Sequence, residues 1–538
     1  MIKYWLIIIL CCILIPSQGI EPTGKIYWVQ LNTKDGTPYT LDKPEEFLSQ
    51  KAILRRLRHN IAIDSTDLPV NPAFIDSLQS MGFYIKHTSR WMNGVIVVFP
   101  DTVAVESLKL PTFVSYIQLR KDAPLKSVLN KFDEIDSLTS NYYGNSTNQV
   151  TMLNGHLLHK FSKGEGVQVA VIDAGFQDAD KLDVFDSLFE RDGIIGTYDF
   201  VSPGNSVYNE HSHGTNVLSI MAGSNPGRMV GTAPNALYWL LRSEDVDTES
   251  PVEEDYWIIA AEFADSVGCD VINTSLGYTT FDNPKFDHNY GEFTGDSLRI
   301  SRASNLAVKK GIVVVCSAGN SGNDSWYYIS APSEARDVLS VAAVNGQREI
   351  AAFSSRGFGD SLHSIKPDIA AMGAGTAIAP PNGSYSFGSG TSYSSPVMAG
   401  MAACLVGLYP DSSAYSIIAM IRKAGDRYPG HSVEYGYGIP DFGKYIDTNS
   451  LGKPQLQDKN KIIVYPNPFT SYFSVSNPNL IDKIELISFD GRSLLTARRG
   501  NPQLYGIPTA NLDHLPKGVY IARIWSGNTV QTLKLIKK

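Results

Sequence analysis

Four short, almost unbroken apolar runs mark the middle of the chain: VQVAVI at 167–172, ALYWLL at 236–241, DVINTS at 270–275 and GIVVVC at 311–316. A strand that is apolar at successive positions has both faces buried, as in parallel sheets covered on two sides. Helical stretches separate several of these runs. In one, at 252–268, Trp257, Ala261 and Ala264 share a face. Strands alternating with helices predict an α/β domain over 147–447, a parallel sheet with helices on both faces.

The flanks read differently. Residues 20–125 run strand (25–31), helix (45–57), helix (71–82), two strands (83–90 and 93–99), helix (102–110), strand (112–119). Two strand–helix–strand halves predict a ferredoxin-like α+β domain. Residues 126–146 and 448–460 are polar and aperiodic and read as linkers. From 461 to 538 the pattern is all β, a small sandwich, with hairpin-turn signals FDGR at 489–492 and SGNT at 526–529.

Lys3, the apolar run 5–15, Pro16 and the small residues Ser17 and Gly19 make residues 1–19 a secretory signal. Eleven apolar residues are too few for a bilayer span of about 20. No later run is long enough for a permanent transmembrane segment. The chain of 538 residues is 43% hydrophobic and 19% charged with a net charge of −8, a globular composition without the basic excess that nucleic acid demands. Beyond the signal only Cys269, Cys316 and Cys404 remain, which is no disulfide framework. Their apolar surroundings favour buried thiols, with one bridge left open.

Four stretches carry candidate chemistry. Asp173 follows the first buried strand, at the sheet edge where α/β proteins bind ligands. His213, in HSHGT, stands at a helix start. Its neighbour His211 completes an H-x-H pair, but no Cys or Glu-x-x-His partner lies near, and no metal is assigned. Asn320, in SAGNSG, sits on a glycine-flanked turn after the strand at 311–316. Ser392, in GTSYSSP, begins an apolar helix with Pro396 expected in its first turn. Alone, each has a bland reading: a strand-end Asp, a loop His, a turn Asn, a capping Ser.

Together, in the order Asp, His, Asn, Ser, the motifs D-A-G, H-G-T, A-G-N and G-T-S-x-x-S-P resemble the subtilisin-like serine protease (subtilase) family, in which the triad runs Asp, His, Ser along the chain. SLG at 275–277, AP at 331–332, FSSRG at 353–357 and KPD at 366–368 add to the resemblance. It implies a secreted serine endopeptidase with Ser392 as nucleophile, His213 as base, Asp173 orienting the imidazole and Asn320 donating to the oxyanion. It further implies substrate contacts at Ser275, Leu276 and Gly277 and at Ser317, Ala318 and Gly319. The chemistry needs no cofactor; structural calcium is left open. Two departures stand out: Ala174 where the family often has Thr or Ser, and Tyr393 where it usually has Met. An α/β-hydrolase would need Gly where Ser394 stands, and a sedolisin would need Glu and Asp in place of His213 and Asn320. A catalytically dead binding scaffold is the rival from another class; four intact motif residues count against it.

Two inserted stretches, 243–255 and 279–296, flank the expected cleft. The carboxylates of the first (Glu244, Asp245, Asp247, Glu249, Glu253, Glu254, Asp255) suit calcium or basic substrate side chains, but a solvated acidic loop is the favoured reading. By position and pattern, 20–125 is similar to a subtilase propeptide; a permanent accessory domain is the alternative. YPNPF at 465–469, DG at 490–491, LPKGVY at 515–520 and the terminal KLIKK resemble the C-terminal sorting domain of the type IX (Por) secretion pathway; an immunoglobulin-like binding module is the alternative. The implied partners are protein or peptide substrates and the type IX machinery, acting on residues 461–538. The implied location is the exterior or surface of a bacterium with an outer membrane, and the expected state is a monomer.

Overall fold

The computed structural model describes residues 24–99, 105, 108–122 and 142–446, and of the C-terminal part 464–465, 469, 473–475, 481–488, 491–498, 512, 514–527 and 529–537. The expected signal, both linkers apart from 142–146, and the helix at 102–110 apart from 105 and 108–110 lie outside these residues. The chain forms two compact units, Met1–Asp447 and Thr448–Lys538.

The first unit begins with β1 (Lys25–Leu31), α1 (Gln50–Arg58), α2 (Pro72–Ser80), β2 (Tyr84–Ser89), β3 (Gly94–Phe99) and β4 (Val114–Lys121). The four strands pair antiparallel in the order β2-β3-β1-β4, with the first and third at the centre, the ferredoxin-like order. Alternate side chains of a strand face opposite ways. Tyr27, Val29 and Leu31 join Val95, Val97 and Leu78 in a local core, while Ile26, Trp28, Ile96 and Val98 enter the core of the following α/β domain.

That domain contains β5 (Gln168–Asp173), β6 (Ile194–Asp199), α3 (His213–Ala222), β7 (Leu237–Arg242), α4 (Val252–Val267), β8 (Val271–Thr274), α5 (Arg299–Lys309), β9 (Val313–Ser317), β10 (Leu339–Val344), β11 (Ile369–Met372), the hairpin β12 (Ala374–Ile378) and β13 (Ser386–Ser389), α6 (Thr391–Leu408) and α7 (Ala414–Ala424). Seven strands form one sheet, β11-β10-β9-β8-β5-β7-β6, parallel throughout. Helices α3 and α6 pack together, with α6 across β8–β11; α4 and α5 pack together on the other side. The β7–α4–β8 crossover passes over β5. This places a topological switch point, where open α/β sheets bind ligands, at the carboxyl end of β5.

The structure corrects two expectations and extends a third. Helix α4 has two buried faces: Trp257, Ala261 and Ala264 face the sheet, and the N-terminal segment covers Glu262 and Asp265. The favoured solvated reading of the acidic stretch holds only for Asp247 and Glu249. Glu253 accepts the Asp245 and Ser250 amides at 2.9 and 2.8 Å, while Glu254 and Asp255 pair with Arg120 of β4 at 3.0 and 2.6 Å and Asp245 pairs with Lys121. Asp245, Glu254 and Asp255 are thus held by the chain's own cations, and Glu253 by backbone amides. Pro396 lies in the second turn of α6, not the first.

More charge is buried on the same interface. Asp265 receives Arg55, Arg56 (2.7 Å) and Arg90 (3.0 Å), and Lys310, next after α5, reaches Asp67 at 2.8 Å. Ser89 and the Arg90 and Trp91 amides donate to Glu262. His87 is enclosed between Phe200 and Tyr256 with Nε2 2.7 Å from the Phe200 carbonyl oxygen.

The second unit holds β14 (Lys483–Ser488), β15 (Ser493–Arg498), β16 (Gly518–Ser526) and β17 (Thr529–Lys537), antiparallel in the order β15-β14-β16-β17. A two-stranded sheet, Val464–Tyr465 with Ser474–Val475, completes it. Phe469, Phe473, Leu486, Ile524 and Leu535 fill one core. The two hairpin-turn signals join β14 to β15 and β16 to β17. Among the described residues no helix is long and apolar enough to cross a membrane, and Cys269, Cys316 and Cys404 are buried free thiols.

Candidate active site

Asp173 ends β5 with no exposed surface. Its Oδ1 accepts the Ala174 amide at 2.8 Å and lies 2.6 Å from Nδ1 of His213, the first residue of α3. Gly214 permits this approach: a Cβ there would come within 2.3 Å of the Gly175 carbonyl oxygen. Asp173 Oδ2 is buried with no hydrogen-bond partner among the described residues, and Ala174 brings no hydroxyl to it.

Burial opposes the charged form of His213. The charge and hydrogen bond of Asp173, aided by Glu244, outweigh burial and raise its pKa above the ordinary value. His211 is shifted down, by burial and then by His213, and its Nδ1 accepts the His213 amide at 3.2 Å. Glu244 follows Ser243, whose amide bonds the Asp173 carbonyl at 3.0 Å. Burial lifts the Glu244 carboxyl to about 7 against the Tyr278 hydroxyl that donates to it, with Asp173 adding to the rise.

Ser392 is the second residue of α6, after Gly390 at the cap, and is 8% exposed. The first amides of a helix lack intrahelical acceptors, so the N-terminus of α6 presents free donors and a positive dipole end. Ser392 Oγ donates to the Ser275 carbonyl at 3.1 Å, and the Ser275 hydroxyl returns a bond to the Ser392 carbonyl at 2.9 Å. The Tyr393 ring is fully buried and stacks on His213, centroids 6.3 Å apart.

Asn320 stands on the turn after β9. Thr391 donates to its Oδ1 twice, from the amide at 2.8 Å and the hydroxyl at 2.9 Å, and accepts the Gly319 amide at 3.1 Å. With Oδ1 occupied, Nδ2 is the end of the amide left for a ligand.

The predicted substrate contacts divide. Leu276 and Gly277, beyond β8, have no backbone hydrogen bonds among the described residues before the Tyr278–Ala331 bridge. Ala318 is committed, its amide to Val341 at 3.0 Å and its carbonyl to Ser330 at 3.2 Å. Ser317 lies buried within β9. Ser275 turns its hydroxyl inward to Ser392. Thr391 and Glu244 were missed as site residues. Thr391 was visible inside the G-T-S motif, whereas Glu244 gave no signal beyond its acidic stretch. Among the described residues no group of three or more His, Cys, Asp or Glu could hold a metal ion.

The Subtilase family model matches residues 164–438, which hold all four motif residues. The Peptidase S8 propeptide domain of Bacteroidota matches 26–134, and the secretion system C-terminal sorting domain matches 463–538. Subtilisin E of Bacillus subtilis (strain 168) is 27% identical over 369 residues, 68% of this chain and 83% of that protein. Subtilisin DY of Bacillus licheniformis is 30% identical over 282 residues, 52% of this chain and 89% of its own. Thermitase of Thermoactinomyces vulgaris is 29% identical over 282 residues, 52% and 87% of the two chains. This chain therefore belongs to the subtilase family: it is a subtilisin-like serine endopeptidase with a Bacteroidota S8 propeptide domain and a Por-type C-terminal sorting domain.

Proposed function

We propose that the chain cleaves proteins through an acyl-enzyme on Ser392. Ser392 Oγ attacks the peptide carbonyl. His213 takes its proton and returns it to the leaving amine. Asp173 holds the imidazole with Nδ1 protonated and stabilises the imidazolium. Asn320 Nδ2 and the Ser392 amide receive the oxyanion. The extended substrate adds a strand along Leu276 and Gly277. The reaction draws on no cofactor, and the enzyme acts as a monomer. The observation that carries the reading is the 2.6 Å contact of His213 with a fully buried Asp173 at the sheet's switch point.

The propeptide and sorting domains indicate a secreted or cell-surface protein of the Bacteroidota. The reading extends to maturation: residues 1–19 are removed on export, 20–125 are shed by cleavage within about 120–146, and the type IX machinery recognises and removes 461–538.

A fluorophosphonate tests the nucleophile by intact mass, beside Ser392→Ala and with casein hydrolysis in parallel. An adduct and casein cleavage, both lost in Ser392→Ala, are expected. No adduct on protein that has shed its N-terminal segment overturns the reading in favour of the binding scaffold.

A further inference from the structure

In an α-helix each amide bonds the carbonyl four residues back. Pro396 has no amide hydrogen, so α6 offers the Ser392 carbonyl no such donor. That carbonyl belongs to the residue whose hydroxyl reacts, and it lies in the interior. An unpaired buried carbonyl is costly, and the peptide bearing it turns to find a donor. Here the donor comes from another element: Ser275 Oγ, just past β8, at 2.9 Å.

The direction of this bond follows from its neighbours. Ser395 Oγ donates to Asn273 Oδ1 at 2.8 Å, and Asn273 Nδ2 donates to Ser275 Oγ at 3.1 Å. The Ser275 hydroxyl has one proton and spends it on the Ser392 carbonyl. The chain Ser395–Asn273–Ser275–Ser392 leaves α6, crosses to β8 and returns to α6 as a closed ring. Ser395 and Asn273 have no exposed surface, Ser275 4% and Ser392 8%. Ser275 also holds the reacting end, since its carbonyl accepts Ser392 Oγ at 3.1 Å.

We propose that Ser275 is a positioning residue for the nucleophile, acting through the carbonyl that Pro396 leaves without its helical donor. The inference rests on Ser392 being the nucleophile. Ser275 transfers no proton to substrate. It fixes the peptide from which Oγ swings between its resting contact and His213, and a displacement of about 1 Å at such a point costs about 10² in rate. The strand edge at Leu276 and Gly277 does not depend on the hydroxyl, so the effect falls on kcat and not on KM.

The test uses the full chain as it matures: wild type, Ser275→Ala and Ser275→Thr, each also combined with Pro396→Ala. It measures kcat and KM on a fluorogenic peptide and the rate of fluorophosphonate labelling. Ser275→Ala is expected to lower kcat and labelling about 10- to 100-fold with KM within about twofold. Ser275→Thr, which keeps the hydroxyl, is expected within about threefold of wild type. With Pro396→Ala the helix supplies its own amide to the carbonyl, and the further loss from Ser275→Ala should shrink to about threefold or less. Equal losses in the two backgrounds, an unchanged kcat in Ser275→Ala, or an effect on KM alone would overturn the proposal. If Ser275→Ala keeps its N-terminal segment, trace wild-type enzyme is added to remove it. If it does not fold, Ser395→Ala takes its place: it strips Asn273 Oδ1 of its donor, a loss of about threefold in kcat is expected, and an unchanged kcat overturns the ring. A matured wild type that neither labels nor cleaves casein removes the protease reading and this inference together; an active wild type with an indifferent Ser275→Ala removes the inference alone.

Discussion

The imidazole of His213 must be neutral to act as base, and its pKa is raised above 6.5. Activity should therefore fall with acidity already above pH 6.5, as the folded enzyme takes up a proton at His213. Asp173→Asn and Glu244→Gln each remove negative charge that favours the imidazolium, so both should move the acidic limb of the kcat/KM profile to lower pH. Asp173→Asn should also lower kcat by about 10⁴, because the tautomer is no longer held. Glu244→Gln should keep most of kcat. Asn320→Ala should cost about 10²–10³ in kcat, the magnitude known for this donor in subtilisin. Thr391→Val, which removes one of two bonds to Asn320 Oδ1, should cost less, about tenfold at saturating substrate. Asp173, His213, Asn320 and Ser392 were legible because each lies at, or within a few residues of, the end of an element and has a distinctive neighbour. Thr391, Ser275 and Pro396 were not legible as a group: their joint role exists only once α6 lies beside β8 and β9.

At the scale of elements, β5, β7, β8 and β9 were legible as apolar runs rich in Val, Ile and Leu. The other three strands of the seven-stranded sheet were not. The edge strand β6 is only partly buried and contains Gly196, while half the residues of β10 (LSVAAV) and β11 (IAAM) are Ala or Ser, which have little strand preference. Parallel pairing to a finished neighbour makes them strands. Helix α4 shows the converse limit. Its sheet face was legible, but the partners of its outer face, Arg55, Arg56, Arg90 and Arg120, stand far away in sequence. Removing one member of a buried pair leaves the others charged and unpaired, a cost of about 3–5 kcal/mol. Asp265→Ala in the unprocessed Ser392→Ala chain should accordingly lower the thermal midpoint by several degrees, and Asp247→Ala, on the exposed part of the acidic stretch, should not.

For the whole molecule, His87 couples the N-terminal segment to pH. Burial, only partly offset by the bond to Phe200, lowers it to about 3, so it stays neutral in the folded chain while the unfolded chain protonates near 6.5. A depressed histidine costs stability as pH falls below 6.5, and the cost grows until pH reaches the folded value. At pH 5 that is about 2 kcal/mol relative to pH 7. Glu262, raised by burial to about 7, acts in the opposite sense: its folded form gains a proton first, so it adds stability as pH falls from 7 toward 4.5. Denaturation of the unprocessed Ser392→Ala chain at pH 7 and 5, beside His87→Leu, isolates the histidine. The His87→Leu chain should lose about 2 kcal/mol less between the two values. The C-terminal unit is a separate compact body, so ending the chain at residue 447 should leave casein hydrolysis intact.

The three guanidiniums on Asp265 also bear on descent. They come from α1 and from the turn after β2, while their shared carboxylate comes from α4, so neither side of the contact can drift without the other. A segment borrowed from a relative with a differently charged face would bury charge it cannot match. Grafted alone onto this catalytic domain it should be a poor guest; grafted together with its own α4 it should be a good one. The described part of the N-terminal segment and α4 should in this sense behave as a single unit of exchange.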